Sequence, residues 1–260
     1  MLTVGVIGKA AKKNEHRIPI HPGHFDRIPP NIASRVYFES GYGVPFGIGD
    51  EHLAESFGGV WPRDRLMAEC DVVLLPKPLP DDLLAMREGG ILWGWPHCVQ
   101  QFDTTQTAID RKQTLIAWEA MFLWGASGTR DMHLFYRNNE MAGYCGVIQA
   151  LELTGNDGFY GPEKSAVVLS FGSVSRGAVY ALLGRGFADI HVYTQRPATL
   201  VHNRIMGCRY GRLVRQEGGH RMIVISEDGR RRPLVEILSE ADVIVNGIFQ
   251  DTDDPLMFLQ

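Results

Sequence analysis

Short β-branched, apolar runs alternate with stretches of helical periodicity along the whole chain, which predicts an α/β protein with parallel strands. Leu2–Gly8 (LTVGVIG) reads as the first strand and Ser34–Glu39 as the second. Asp71–Leu75 (DVVLL) and Gly90–Trp95 (GILWGW) read as further strands, with a helix over Asp81–Arg87 between them. Leu115–Ala117 is another short strand, after a helix over Thr104–Arg111. Asp131–Asn139 is polar and mixed. Glu140–Thr154 then carries Met141, Val147, Ile148 and Leu151 at helical spacing and reads as a bridge between two lobes. Beyond it, a strand at Ser165–Leu169, a helix at Gly177–Arg185 and a strand at Ile190–Tyr193 form a βαβ unit. Met222–Ser226 and Arg230–Pro233 flank Glu227-Asp228-Gly229 as a hairpin, followed by a helix over Leu234–Glu240 and a last strand at Asp242–Val245.

Composition narrows the class. The chain has 260 residues, 45% hydrophobic and 22% charged, which excludes disorder and allows a sizeable core. The formal charge of −4 gives no basic field for nucleic acid or an anionic membrane. No uncharged apolar run approaches the ~18 residues of a membrane helix, and the first segment is charged too early for a secretory signal. Cys70, Cys98, Cys145 and Cys208 lie far apart, forming neither a metal knuckle nor a dense disulfide framework, so a reducing cytoplasm is expected. His21-Pro22-Gly23-His24 has no third ligand nearby and reads as a helix start, so no metal is expected. Arg230-Arg231-Arg232 reads as a solvated hairpin rim.

Ser165–Gly177 (SAVVLSFGSVSRG) is a strand, a small-residue turn and a helix, the context in which backbone N–H groups and the helix dipole cradle a pyrophosphate. Against the usual GxGxxG, Ser170 stands first, Gly172 second and Ser175 third, so only the central glycine is in register. An ordinary strand-to-helix turn and a methyltransferase are the alternatives. The following strand ends in Thr194-Gln195-Arg196, with no acid to accept from a ribose 2′-hydroxyl; a hydroxyl and a guanidinium suit a 2′-phosphate. NADP is therefore the expected cofactor, with NAD the alternative. A solvated Arg196 is the bland reading.

In the first lobe, Lys9, Lys77 and His97 each follow a predicted strand, where α/β sheets bind ligands. Cations there can clamp a carboxylate and a histidine can move protons; taken singly, each also reads as a surface or loop residue. Trp93 and Trp95 alternate, so one is expected in the core and the other against the pocket. VIGKAAKKNEHRIPIHPGHF, ESGYGVPFGIGDEHLAESFGG, LLPKPLP and GWPHCVQ, in this order, resemble the alanine dehydrogenase and pyridine nucleotide transhydrogenase family. FYRNNEMAGYCGVIQAL and ADVIVNGIFQDTDDP bring the chain nearest to the family's N5-(carboxyethyl)ornithine synthase branch.

The resemblance implies two Rossmann-like lobes with parallel sheets: a substrate-binding lobe at residues 1–137 and a dinucleotide-binding lobe at residues 138–260. The family's later aspartate and C-terminal helix would lie past Gln260, so the C-terminal part of the fold is expected to be absent. It implies that Arg17 and Lys77 bind the substrate and that His97 and Lys77 are catalytic. Asn139, Ser170, Gly172, Ser173, Val174, Thr194, Gln195, Arg196, Asn246, Gly247 and Ile248 would bind the cofactor. The implied reaction is reductive condensation of an α-keto acid such as pyruvate with an amino acid amine, in a homo-oligomer. An ammonia-using alanine dehydrogenase and a non-catalytic nucleotide-binding subunit are the alternatives.

Overall fold

A computed structural model describes residues 2–197, 200–216 and 221–248. The chain divides into two units, Met1–Leu134 and Phe135–Gln260.

The first unit runs β1 (Val4–Val6), α1 (Pro30–Ala33), β2 (Val36–Glu39), α2 (Asp50–Ser56), β3 (Gly59–Trp61), α3 (Arg63–Glu69), β4 (Val72–Leu75), α4 (Pro80–Ala85), β5 (Ile91–Gly94), α5 (Phe102–Asp110) and β6 (Thr114–Ala117). These strands form a parallel sheet in the order β3-β2-β1-β4-β5-β6, the classic doubly wound order, whose direction switches between β1 and β4. An all-parallel sheet is covered on both faces, which is why β4 is a continuous apolar run. Val72 and Leu74 enter one core with Phe38 and Leu53, whereas Val73 and Leu75 enter the other with Leu66 and Leu83. His21 caps the short 3-10 turn Pro22–Arg27 through its own side chain, as the sequence predicts. The polar stretch after residue 130 hides a strand. β8 (Arg130–His133) pairs antiparallel with β7 (Phe122–Trp124), and because most of this ribbon is exposed it carries no apolar alternation.

The second unit opens with α6 (Tyr136–Thr154), four residues earlier than predicted, followed by β9 (Ser165–Leu169), α7 (Ser173–Gly184) and β10 (Asp189–Thr194). β11 (Cys208–Arg215), β12 (Met222–Ser226), β13 (Arg231–Pro233), α8 (Leu234–Ser239) and β14 (Val243–Asn246) complete the described residues. Here the expectation of a parallel sheet needs correction. In the order β13-β12-β11-β10-β9-β14 only β11, β10, β9 and β14 are parallel. β12 returns antiparallel along β11 and β13 along β12, because short connections can only reverse the chain. The sequence also conceals β11: Arg209, Arg212 and Arg215 break its apolar pattern, leaving only Tyr210 and Leu213 fully buried. β9 alternates between two cores, Ala166 and Val168 toward α7, Val167 and Leu169 toward α8. The hairpin rim is solvated, with Arg230 on Asp228 and Arg232 on Glu240.

Candidate active site

Four chain segments leave the carboxyl edge of the first sheet and meet. Lys77 stands two residues past β4, Trp95 and His97 follow β5, and Glu119 lies two residues past β6. Arg17 comes from the long segment after β1. That segment is anchored at both ends. Gly8 N–H donates to Glu39 Oε2 at 2.7 Å, and Tyr42 Oη donates to the Ile20 carbonyl at 2.7 Å while accepting from Ile20 N–H at 3.0 Å. Lys9 is exposed, and its carbonyl accepts from Arg63 at 2.8 Å.

Lys77 Nζ and His97 Nε2 are in direct hydrogen-bond contact. The indole of Trp95 is the floor, with the Arg17 guanidinium 4.4 Å over its centroid and Lys77 Nζ at 5.8 Å. Trp118 holds that indole edge-on at 4.6 Å. Trp93 packs against the core around Phe38; at i and i+2 the two tryptophans share strand parity, so it is not alternation that separates them, but the end of β5 at Gly94, which leaves Trp95 in the following loop. Arg17 is held in a fork by Glu15, through Nε at 2.8 Å and through Nη2. His97 sits in the left-handed region at φ 49°. Its backbone N–H donates to Glu119 Oε1 at 2.7 Å, and the same oxygen is 3.9 Å from Nδ1. Glu119 Oε2 is buried without a hydrogen-bond partner among the described residues.

Electrostatics follow from this crowding. Burial, reinforced by the neighbouring cations Arg17 and Lys12, pushes the Lys77 ammonium below the ordinary lysine value. Burial and the Lys77 charge push His97 down, while Glu119 opposes that shift. The hydrogen bond from Arg17 holds Glu15 below the usual carboxylate range. Two bases in contact, both pushed below their ordinary values, are placed to pass a proton between them, which suits acid–base work at a bound carbonyl. Glu15 and Glu119 escape the sequence reading. Glu119 had a usable signal, its place just past a strand of the same sheet edge; Glu15 had none beyond proximity to Arg17.

In the second unit the turn Ser170–Gly172 lies at the carboxyl end of β9. Ser170 takes φ 79°, the left-handed conformation that glycine supplies in the usual fingerprint. A Cβ on Gly172 would meet only Ser170 Oγ, at 3.9 Å, and the first turn of α7, Ser173 and Val174 included, forms a cradle of N–H groups without intrahelical partners. That cradle fits a pyrophosphate. Buried Ser175 replaces the third glycine and bonds the Leu169 carbonyl at 3.3 Å. Asn246-Gly247-Ile248 ends neighbouring β14, where Gly247 N–H reaches the same carbonyl at 3.0 Å. Asn139 lies in the first turn of α6, beside Glu140, whose carbonyl a Cβ on Gly177 of α7 would strike. At the end of β10, Thr194 is buried and accepts from Arg196 N–H at 3.3 Å, while Gln195 is exposed. The Arg196 guanidinium turns back to the Phe171 carbonyl at 2.6 Å. Among the described residues no group of three His, Cys, Asp or Glu could hold a metal, and no helix is long and apolar enough to cross a membrane.

The sequence model of the alanine dehydrogenase/PNT N-terminal domain family matches residues 6–142. An N(5)-(carboxyethyl)ornithine synthase from Lactococcus lactis subsp. lactis is 24% identical over 211 residues, 76% of this chain and 64% of that protein. An alanine dehydrogenase from Bacillus subtilis is 26% identical over 138 residues, 53% of this chain and 35% of that protein. Among solved structures, an L-alanine dehydrogenase matches 94% of this chain and 65% of its own, with TM-score 0.63 and 19% identity. A transhydrogenase from Sinorhizobium meliloti matches 75% and 60%, with TM-score 0.56 and 17% identity. The chain thus spans between 35% and 65% of the length of these relatives.

Proposed function

Because the chain belongs to the alanine dehydrogenase/PNT family, we propose that it is an NADP-dependent oxidoreductase that reductively condenses an α-keto acid, pyruvate for example, with the amine of an amino acid. The first unit is its substrate lobe and the second its dinucleotide lobe. The observation that carries this reading is the cluster of Arg17, Lys77 and His97 on the floor of Trp95. Arg17, oriented by Glu15 and the indole face, binds the keto-acid carboxylate. Lys77 Nζ donates to the keto oxygen and polarises the carbonyl toward the amine. His97 passes a proton to the hydroxyl of the carbinolamine, whose C–O bond breaks as water leaves and an imine forms. Glu119 fixes the His97 backbone and offsets the charge the imidazole takes up. The residues that would hold the cofactor are Ser170, Gly172, Ser173 and Val174 at the turn, Thr194 and Arg196 beyond β10, and Asn246-Gly247-Ile248 beyond β14. With a reduced nicotinamide held there, the imine would receive the hydride that makes it the amine.

The relatives named carboxyethylornithine synthase favour an amino acid amine; those named alanine dehydrogenase favour ammonia in its place. Mixing the purified protein with NADPH and pyruvate, and with ammonia or each of a panel of amino acids, separates them. We expect cofactor oxidation that requires both keto acid and amino acid. Oxidation with ammonia alone would make the chain alanine dehydrogenase-like. Cofactor binding without oxidation under any combination would make it a nucleotide-binding subunit.

A further inference from the structure

A cavity of about 290 Å³ opens beyond the end of β10 and beside the middle of β11, walled by Val201, Tyr210 and Ile225 and rimmed by Arg196, Arg204 and Arg212. The three cations are not equivalent. Arg204 is ion-paired with Glu227 and lies 5.0 Å over the Tyr210 ring. Arg212, exposed on the rim, pairs with no acid among the described residues. Arg196 is committed only to the Phe171 carbonyl. One acid thus compensates three cations, and the concave space faces two uncompensated guanidinium groups. Such forks match phosphate oxygens bidentately.

The register shows why Arg212 belongs here. It stands directly beside Thr194 across the parallel β10–β11 ladder, and so next to the strand end from which Arg196 departs. Arg196 in turn bonds the carbonyl of Phe171, the residue before Gly172. The cavity and the helix N-terminus that suits a pyrophosphate are therefore joined through a single side chain. A ligand with phosphate groups at both places is a dinucleotide carrying an extra phosphomonoester. A doubly charged monoester gains from two guanidinium groups, whereas a free hydroxyl leaves them unneutralised.

We propose that Arg212, together with Arg196, forms a 2′-phosphate site in this cavity, so that Arg212 is a specificity-determining residue for NADP over NAD. This rests on the dinucleotide reading of the second unit given above. Gln195, next to Arg196 in sequence, does not line this cavity.

The test is binding, read by calorimetry on the whole chain, with two probes: adenosine bearing both 2′- and 5′-phosphates, and AMP, which lacks the 2′-phosphate. The wild type is expected to bind the bisphosphate at least about tenfold more tightly than AMP, the effect of one charge-assisted contact. Arg212→Gln should lose about that factor for the bisphosphate and leave AMP unchanged, and Arg212→Lys should retain part of the preference. Thermal melts of both variants check that they fold as the wild type does. A wild type that binds both probes equally, or neither, overturns the NADP reading and this site with it. A wild type that discriminates, with Arg212→Gln discriminating equally well, overturns only the assignment of Arg212.

Discussion

Lys77 and His97 touch, and neither is basic in the ordinary way. Burial lowers both, helped at Lys77 by the Arg17 and Lys12 charges and at His97 by the Lys77 charge. The expected kcat/KM profile is bell-shaped, with both limbs on the acid side of free histidine and free lysine. Glu119 holds His97 up, so Glu119→Gln should move the acid limb to still lower pH; an unmoved limb would detach Glu119 from the titration. His97→Ala should cost about 10²–10⁴-fold in turnover, as is usual for a lost acid–base group, with cofactor affinity unchanged by fluorescence titration. Arg17→Lys keeps the charge but loses the planar fork that grips Glu15, so the KM for the keto acid should rise while cofactor binding stays as it was. Lys77 and His97 were legible in the sequence because each follows an apolar run within a few residues. Of the carboxylates, Glu119 was legible only through its place past β6, and Glu15 was not, since a glutamate beside an arginine in a loop reads the same whether it is solvated or paired.

At the scale of elements, the turn between β9 and α7 holds a local conflict. Ser170 occupies a left-handed conformation, which costs a non-glycine residue roughly 1–2 kcal/mol. Ser170→Gly should therefore stabilise the chain by up to about 1 kcal/mol in urea denaturation, the gain being reduced by the larger entropy glycine loses on folding. A loss of stability would mean that the serine side chain supports the turn. The α6–α7 contact is set by Gly177, where any Cβ would run into the Glu140 carbonyl. Gly177→Ala should destabilise by about 1–3 kcal/mol, the usual range for overpacking, measured as a lower urea midpoint. Buried β4 and β9 were readable from sequence as apolar runs, and the hairpin of β12 and β13 from its turn chemistry. β8 and β11 were not. One is mostly exposed and the other is interrupted by arginines, so neither has the period-two signature that burial imposes.

For the whole molecule, two α/β units each present chemistry at the carboxyl edge of a sheet. In the first, the loops after β1, β4, β5 and β6 bring Arg17, Lys77, Trp95, His97 and Glu119 together, the cluster proposed to bind the carboxylate and move protons. In the second, β9, β10 and β14 end around the Ser170–Gly172 turn proposed to hold the cofactor phosphates. The parallel strands β1, β2, β4, β5 and β6 of the first sheet were legible from alternating strands and helices, whereas three-residue β3, only partly buried, and the strand order were not. The antiparallel half of the second sheet was not, because only its outer hairpin carried a turn signal. The central claim is that the chain moves a hydride from NADPH to the former keto carbon of its substrate. Reacting it with NADPH deuterated at the transferable C4 position, pyruvate and the amino acid that supports turnover, and then analysing the product by mass spectrometry, tests this directly. The account predicts one deuterium, bonded to the carbon that was the pyruvate carbonyl. A product formed without deuterium at that carbon would contradict it.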